Sequence, residues 1–240
     1  MHYPPRPIPH SSKANTRFIS TVKDWFFPRF CIACGAEGTL LCAPCQKRIS
    51  NREDTDRCAV CGIAGRDGLC AACRRRLKLR GLIKIGAFRG ALRELLHHLK
   101  YEDLRDGREV LGEMLAHRWR QSGGAGGVVI PVPLSRTRLR ERGYNQSEVI
   151  ARSFINFTKL PTLNALARRK DTQKQTTLSR QDRFANLEGA FVSLFDFRKY
   201  RGNIYLLDDV LTTGATLAQA AAALRRASAK NIYGIVVAAG

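Results

Sequence analysis

The chain has 240 residues, 44% hydrophobic and 25% charged, which allows one sizeable globular core and a smaller module. No apolar run reaches the ~18–20 residues of a membrane helix, and the opening "MHYPPRPIPHSSKANTR" lacks the apolar centre of a secretory signal. A cytoplasmic protein with a disordered tail over 1–17 is therefore expected, and the net charge of +21 favours polyanionic partners (nucleic acid, phosphorylated metabolites or an anionic membrane) unless it reflects only an arginine-rich surface.

Residues 18–80 read as a short helix followed by a metal module. Phe18, Ile19, Val22, Trp25, Phe26 and Phe27 are spaced for an amphipathic helix closing at Pro28, either docked on the neighbouring domain or lying on a membrane surface. All eight cysteines follow, as four C-x-x-C knuckles: Cys31/Cys34, Cys42/Cys45, Cys58/Cys61 and Cys70/Cys73. Each knuckle turns two thiolates to one side, and two knuckles complete a tetrahedral S4 site. "CIACGAEGTLLCAPC" and "CAVCGIAGRDGLCAAC" form an internal repeat, so the simplest assignment is two sequential zinc ribbons, with interleaved pairing the alternative. Four thiolates leave no open position, so both zinc ions are structural. Eight thiolates and two Zn²⁺ lower the formal charge only to +17. The module can also act as an adaptor toward other proteins.

Residues 81–240 alternate strands and helices, the pattern of a parallel α/β sheet. "LIKIGAF" is β-like. "ALRELLHHLKYEDLRDGREVLGEMLAHRWR" carries Leu92, Leu95, Leu96, Leu99, Val110, Leu111, Met114 and Leu115 at helical spacing, predicting two helices with a break near Asp106-Gly107. "GVVIPVP" is a short buried strand, "YNQSEVIARSFINF" a helix and "NALARRK" a weak strand. Residues 168–183 have no apolar period and carry six basic residues, Lys174 among them; "SRQDRFANLEGAF" reads as a helix returning to the sheet. "NIYLL" and "NIYGIVVAA" are buried strands flanking the helix "TLAQAAAALRRASA".

One stretch carries chemistry. In "NIYLLDDVLTTGATL" an apolar strand runs into Asp208 and Asp209 and then into Thr212, Thr213, Gly214, Ala215 and Thr216. Ligands on parallel sheets bind at the carboxyl ends of strands. Paired carboxylates suit a vicinal diol. The hydroxyl-rich turn, its glycine and the positive end of the following helix suit a phosphate. Diol and phosphate together describe a ribose 5-phosphate. No lysine follows the glycine with P-loop spacing. Farther upstream, "PLSRTRLRERG" presents Arg136, Arg138, Arg140 and Arg142 at alternate positions, which on an extended loop share one face and suit phosphate oxygens. A solvated basic loop is the plainer reading.

"YLLDDVLTTGAT" resembles the phosphoribosyl-diphosphate motif of type I phosphoribosyltransferases. The chain from about residue 18 onward resembles the ComF family, a zinc ribbon joined to such a domain. "PVPLSRTRLRERGYNQS" (131–147), "LKY" (99–101) and the series Thr172, Gln175, Leu178, Arg183 and Asn186 are similar to that family's signatures. The resemblance implies an α/β fold with a parallel-sheet phosphoribosyltransferase-like domain behind a small Cys-rich double zinc ribbon. It implies that Asp208 and Asp209, also the catalytic candidates, hold the ribose hydroxyls, and that Thr212 to Thr216 hold the 5′-phosphate. Pro133, Leu134, Ser135 and Arg136 are candidates for the pyrophosphate with Mg²⁺, and 168–183 for a mobile hood loop. It further implies phosphoribosyl diphosphate and single-stranded DNA as partners, in natural transformation or DNA use, alongside DNA-translocation proteins. Arg138, Arg140, Arg142 and Lys174 are the candidate DNA contacts. Active ribosyl transfer in nucleotide salvage is the alternative, and no acceptor is identifiable.

Overall fold

The computed structural model describes residues 30–51, 56–101, 105–169 and 187–240. The expected helix over 18–27, most of the 168–183 stretch with Lys174, and positions 172–186 of the signature series lie outside them. Helices α1 (Ala43–Asn51) and α2 (Ala71–Leu77) belong to the cysteine module. Strand β1 (Leu82–Ala87) leads to α3 (Gly90–Tyr101), α4 (Arg105–Gln121) and β2 (Gly127–Pro131). Then come α5 (Arg136–Arg142), α6 (Gln146–Thr158), β3 (Leu166–Arg168) and β4 (Phe191–Ser193). Strand β5 (Asn203–Leu211), α7 (Ala215–Arg226) and β6 (Asn231–Ala239) complete the described elements.

Four strands form one parallel sheet in the order β1-β6-β5-β2. The central strands are buried on both faces, as their apolar runs require: Ile204 to Leu207 and Ile235 to Ala238 are each at most 3% exposed. Ile204 and Leu206 face one core cluster with α7 and the β3–β4 hairpin, and Tyr205 and Leu207 face the other with α3, α4 and α6. Trp119 of α4 meets Phe154 and Tyr205 edge-to-face, with centroids 6.2 and 5.9 Å apart. Such pairs add about 0.5–1.5 kcal/mol beyond burial.

The ribbons are not appended at one side. Cys31, Leu41 and Cys45 of the first join the cluster on the α3/α4/α6 face. Cys58, Val60, Leu69, Cys70, Cys73 and Leu77 of the second join the cluster on the α7 face. A tandem repeat in sequence thus becomes two supports on opposite faces of one sheet.

Three expectations need correction. Asp106 and Gly107 fall inside α4; an early-turn glycine costs about 1 kcal/mol relative to alanine, which the tertiary packing of α4 overrides. "PLSRTRLRERG" is not an extended loop. Ser135 caps α5 by accepting from the Arg138 N–H at 3.3 Å, and Gly143 ends it at φ +75°. Its arginines therefore pair at i, i+4: Arg136 and Arg140 are exposed, while Arg138 and Arg142 are half-buried. Of "SRQDRFANLEGAF", the described end is a turn at Leu187–Gly189 followed by β4, because Phe191 and its neighbours pair antiparallel with β3.

Helix α4 crosses α6 so closely that a Cβ at Gly112 would lie 2.2 Å from Ser153 Oγ and 2.7 Å from the Ser153 carbonyl carbon. Gly112→Val is expected to cost about 1–3 kcal/mol through overpacking, read as a lower urea midpoint at unchanged slope. An unchanged midpoint contradicts the close crossing.

Candidate functional site

Strand β5 outruns its neighbour. The β2 pairing ends at Pro131 with Leu207, while β5 continues beside β6 to Leu211. Asp208 and Asp209 therefore lie within the last four residues of the strand rather than after it. On this overhang the acids serve their own backbone: Asp208 Oδ1 accepts from the Asp209 N–H at 3.0 Å, and Asp209 Oδ1 from the Val210 N–H at 2.7 Å. The facing pattern shifts by one here, since Val210 lies with Tyr205 and Leu207, and Leu211 with Ile204 and Leu206. Asp208 Oδ1 also accepts from Ser147 Oγ at the start of α6, at 3.0 Å. Both carboxylates are half-buried, and these donors offset the repulsion of adjacent like charges.

Behind the acids the chain turns into α7. Gly214 takes φ +80° at the helix start, and Thr213 Oγ1 accepts from the Ala215 N–H at 3.3 Å. Thr213 is 6% exposed, Thr212 exposed and Thr216 half-buried. The side chain of Leu77, from the second ribbon, lies directly against this turn: a Cβ at Gly214 would sit 2.5 Å from Leu77 Cδ2. Glycine is thus required at 214 both for its dihedral and for the ribbon's approach.

The segment after β2 is tied to the same edge. The Val132 N–H donates to the Leu207 carbonyl at 2.9 Å. Asn145 caps α6 through the Ser147 N–H, while its Nδ2 donates to the Val132 carbonyl at 3.0 Å and to Glu148 Oε1 at 3.3 Å. Arg142 Nη1 donates to Gln146 Oε1 at 3.0 Å, and the Tyr144 hydroxyl donates to the Leu99 carbonyl of "LKY". Two segments far apart in sequence are thereby joined beside the acid pair. Ser135 is 4% exposed at the head of α5 on this edge, with Arg136 exposed next to it.

The cysteines cluster as the sequential assignment expects, Cys31, Cys34, Cys42 and Cys45 in one group and Cys58, Cys61, Cys70 and Cys73 in the other. Sulfur separations of 3.6 Å (Cys34–Cys42) and 3.7 Å (Cys61–Cys70 and Cys61–Cys73) match the ~3.8 Å edge of a tetrahedron with Zn–S of ~2.3 Å, and lie far from a disulfide's ~2.05 Å. The donor set and its spacing fit two zinc ions. The repeat extends to the backbone: Gly35 and Gly62 both take φ +76°, and each donates to the carbonyl of its ribbon's first cysteine. Each last cysteine also receives a guanidinium three residues on, Arg48 Nη2 to Cys45 Sγ at 3.1 Å and Arg76 Nη2 to Cys73 Sγ at 3.8 Å. These cations offset the negative charge of four thiolates around one Zn²⁺.

Comparison with known proteins finds partial and distant relatives. No protein-family model matches the chain. Over 109 residues it is 39% identical to Competence protein F of Haemophilus influenzae, covering 44% of this chain and 47% of that protein. Over 201 residues it is 26% identical to DNA utilization protein YhgH of Escherichia coli (strain K12), covering 80% of this chain and 87% of that one. A 100-residue match, 33% identical, to Competence protein ComFC of Bacillus subtilis covers 40% and 38%. The chain is thus similar to competence and DNA-utilization proteins. The first of these matches spans about half of the relative's length.

Several residues of this edge carry little local signal in the sequence. Ser147 and Gln146 were legible only as part of a signature, although Asn145-x-x-Glu148 is a capping pattern that announces a helix start there. Leu77 carried no signal for its place beneath Gly214. Among the described residues no helix is long and apolar enough to cross a membrane.

The metal-free ribbons hold their thiols unequally. Burial raises the Cys31 thiol, but N–H groups of Cys42, Ala33 and Cys34 and the Cys34 side chain outweigh it and bring it down to about 6. Cys58 is likewise brought down to about 6, with Cys70, Val60 and Cys61 in the equivalent places. Burial and hydrogen bonds with the neighbouring thiols push Cys45 up to about 12. Cys45 must then surrender a proton to bind metal, whereas Cys31 and Cys58 add to the proton count only near and below pH 6. Zinc affinity is expected to fall with falling pH and to steepen below about pH 6, measured by competition with a chromophoric chelator. A pH-independent affinity would contradict thiolate ligation.

Proposed function

We propose that this chain binds phosphoribosyl diphosphate with Mg²⁺ at the carboxyl ends of β2 and β5, and that it acts in handling single-stranded DNA during natural transformation or DNA utilisation. The observation carrying the reading is the carboxylate pair on the β5 overhang, followed at once by the Thr212–Thr216 turn at the start of α7. Asp208 and Asp209 take the ribose hydroxyls, with Ser147 orienting Asp208. Thr213, Gly214 and the N–H groups opening α7 take the 5′-phosphate, favoured by the positive helix end. Ser135 and Arg136 lie at the neighbouring strand end, where the pyrophosphate points. Mg²⁺ neutralises charge on that pyrophosphate when bound. The process comes from the names of the relatives, Competence protein F and DNA utilization protein YhgH.

The exposed Arg136/Arg140 face of α5, with Arg138 and Arg142 behind it, supplies cations for a DNA backbone. Lys174 belongs to the same proposed contact set. A role beside DNA-translocation proteins and a cytoplasmic setting are part of this reading.

Asp209→Asn keeps the shape and removes the charge. Its affinity for phosphoribosyl diphosphate with Mg²⁺, read by calorimetry, is expected to fall roughly 10- to 100-fold, the range for a lost charged hydrogen bond. Single-stranded DNA affinity is expected to hold, because removing an acid cannot weaken a basic surface. Equal loss of both in a folded variant contradicts separate determinants. Pyrophosphate release with a candidate acceptor would instead establish ribosyl transfer.

A further inference from the structure

A cavity of about 450 Å³ opens at the other end of the sheet, at the amino ends of β1, β5 and β6. It is far from the carboxyl-end acids along the strand direction and shares no lining residue with them. One wall is the loop of the second ribbon between Cys61 and Cys70, with Arg66 and Asp67. The opposite wall is the end of α4, with Arg118 and Gln121. Tyr233 lines the cavity from β6, partly exposed, with its ring 5.9 Å from that of Tyr205 and tilted 33° to it. The adjacent Gly81 keeps a side chain off the ring: a Cβ there would reach Tyr233 Cδ1 at 3.5 Å.

Part of the polar lining is tied down, while Arg66 reaches into solvent and Asp56 adds a second carboxylate beside Asp67. Arg118 Nε donates to the Lys84 carbonyl at 3.1 Å and Nη1 to Gln121 Oε1 at 3.2 Å, which holds the guanidinium across one side. Asp67 on the ribbon wall is offset by Arg74 at 3.4 Å and Arg66 at 4.0 Å. Asn203 and Gln121 add side-chain amides.

This lining selects a ligand class. A bare anion leaves the aromatic surface unused, and a bare divalent cation meets Arg118 and Lys84. A wholly apolar ligand strands the amides and charges. A flat aromatic base stacks on tyrosine, offers edge donors and acceptors to amides, and brings a phosphate to guanidinium groups. The volume also falls within the ~300–1,000 Å³ of small-ligand sites. We propose that this cavity binds one nucleotide unit, its base against Tyr233 and its phosphate toward Arg66 and Arg118. The source is either a free mononucleotide or one residue of a single strand. Because the second ribbon builds a wall, the site requires that ribbon to be folded. The proposal is independent of the carboxyl-end reading.

The test titrates the zinc-loaded full chain with deoxyadenosine 5′-monophosphate and, separately, with a short oligodeoxyadenylate. Saturable binding of both marks a free-nucleotide site, and saturable binding of the oligomer alone marks a strand site. Tyr233→Leu is expected to weaken binding at least about fivefold, the low end for losing one base–aromatic stack. Arg66→Glu, at a side chain 91% exposed and so outside the core, is expected to weaken the phosphorylated probes and leave deoxyadenosine unaffected. Nucleotide affinity is expected to be the same with and without saturating phosphoribosyl diphosphate and Mg²⁺, which separates this cavity from the other edge. Three results would overturn the proposal: no saturable binding of either probe, unchanged affinity in both Tyr233→Leu and Arg66→Glu, or displacement of the nucleotide by phosphoribosyl diphosphate.

Discussion

A backbone N–H at the end of a sheet needs an acceptor, and this need organises the carboxyl edge of the fold. Strand β2 stops at Pro131 and β5 goes on to Leu211, so the stretch of β5 past Leu207 has lost a neighbour on one side. Asp208 and Asp209 supply acceptors to the next N–H along the chain. The acids are therefore held by the strand that carries them, before any ligand arrives. Asn145, Ser147 and the Val132 backbone then lock the start of α6 onto that overhang. A polar site carried on a strand and the starts of two helices results.

The zinc ribbons reach the same edge from below. Leu77 is fully buried, and a Cβ at Gly214 would require its side chain to shift, on top of the strain of the positive dihedral. The phosphate-type turn thus sits on a residue only four positions after the last cysteine of the second ribbon. Cys73, Leu77, Gly214 and the start of α7 form one contiguous stack. The ribbons act as flooring for the sheet on both faces, in addition to any partner they meet.

Legibility tracked how local each signal was. Cysteine knuckles, the strand feeding Asp208 and Asp209, and the Thr-Thr-Gly-Ala-Thr turn are written within a few consecutive residues, and the structure places them as sequential clusters and a strand-turn-helix. Helix α5 was misread because none of its residues is buried and Leu139 is 44% exposed, so no apolar period exists. Only its caps, Ser135 and Gly143, spoke for a helix. Gly107, inside α4, is a stronger local signal for a break than the apolar register that continues along that helix. Contacts such as Ser147 with Asp208, 61 residues apart, or Leu77 with Gly214, have no local trace at all. The division of the two ribbons between opposite faces belongs to the same class.

The sheet order bears on how the chain is made. Among the described residues strand β1 pairs with β6 alone, with Leu82 beside Gly234, so this early strand waits for about 150 more residues before it can pair. Over that interval the nascent ribbons carry Leu41, Leu69 and Leu77 without the core that finally covers them. Metal loading can proceed early, because each thiolate set is complete within 15 or 16 consecutive residues. A ribosome would thus present a metallated but uncovered module while the sheet is still incomplete, and that is the interval in which a chaperone has an apolar surface to hold.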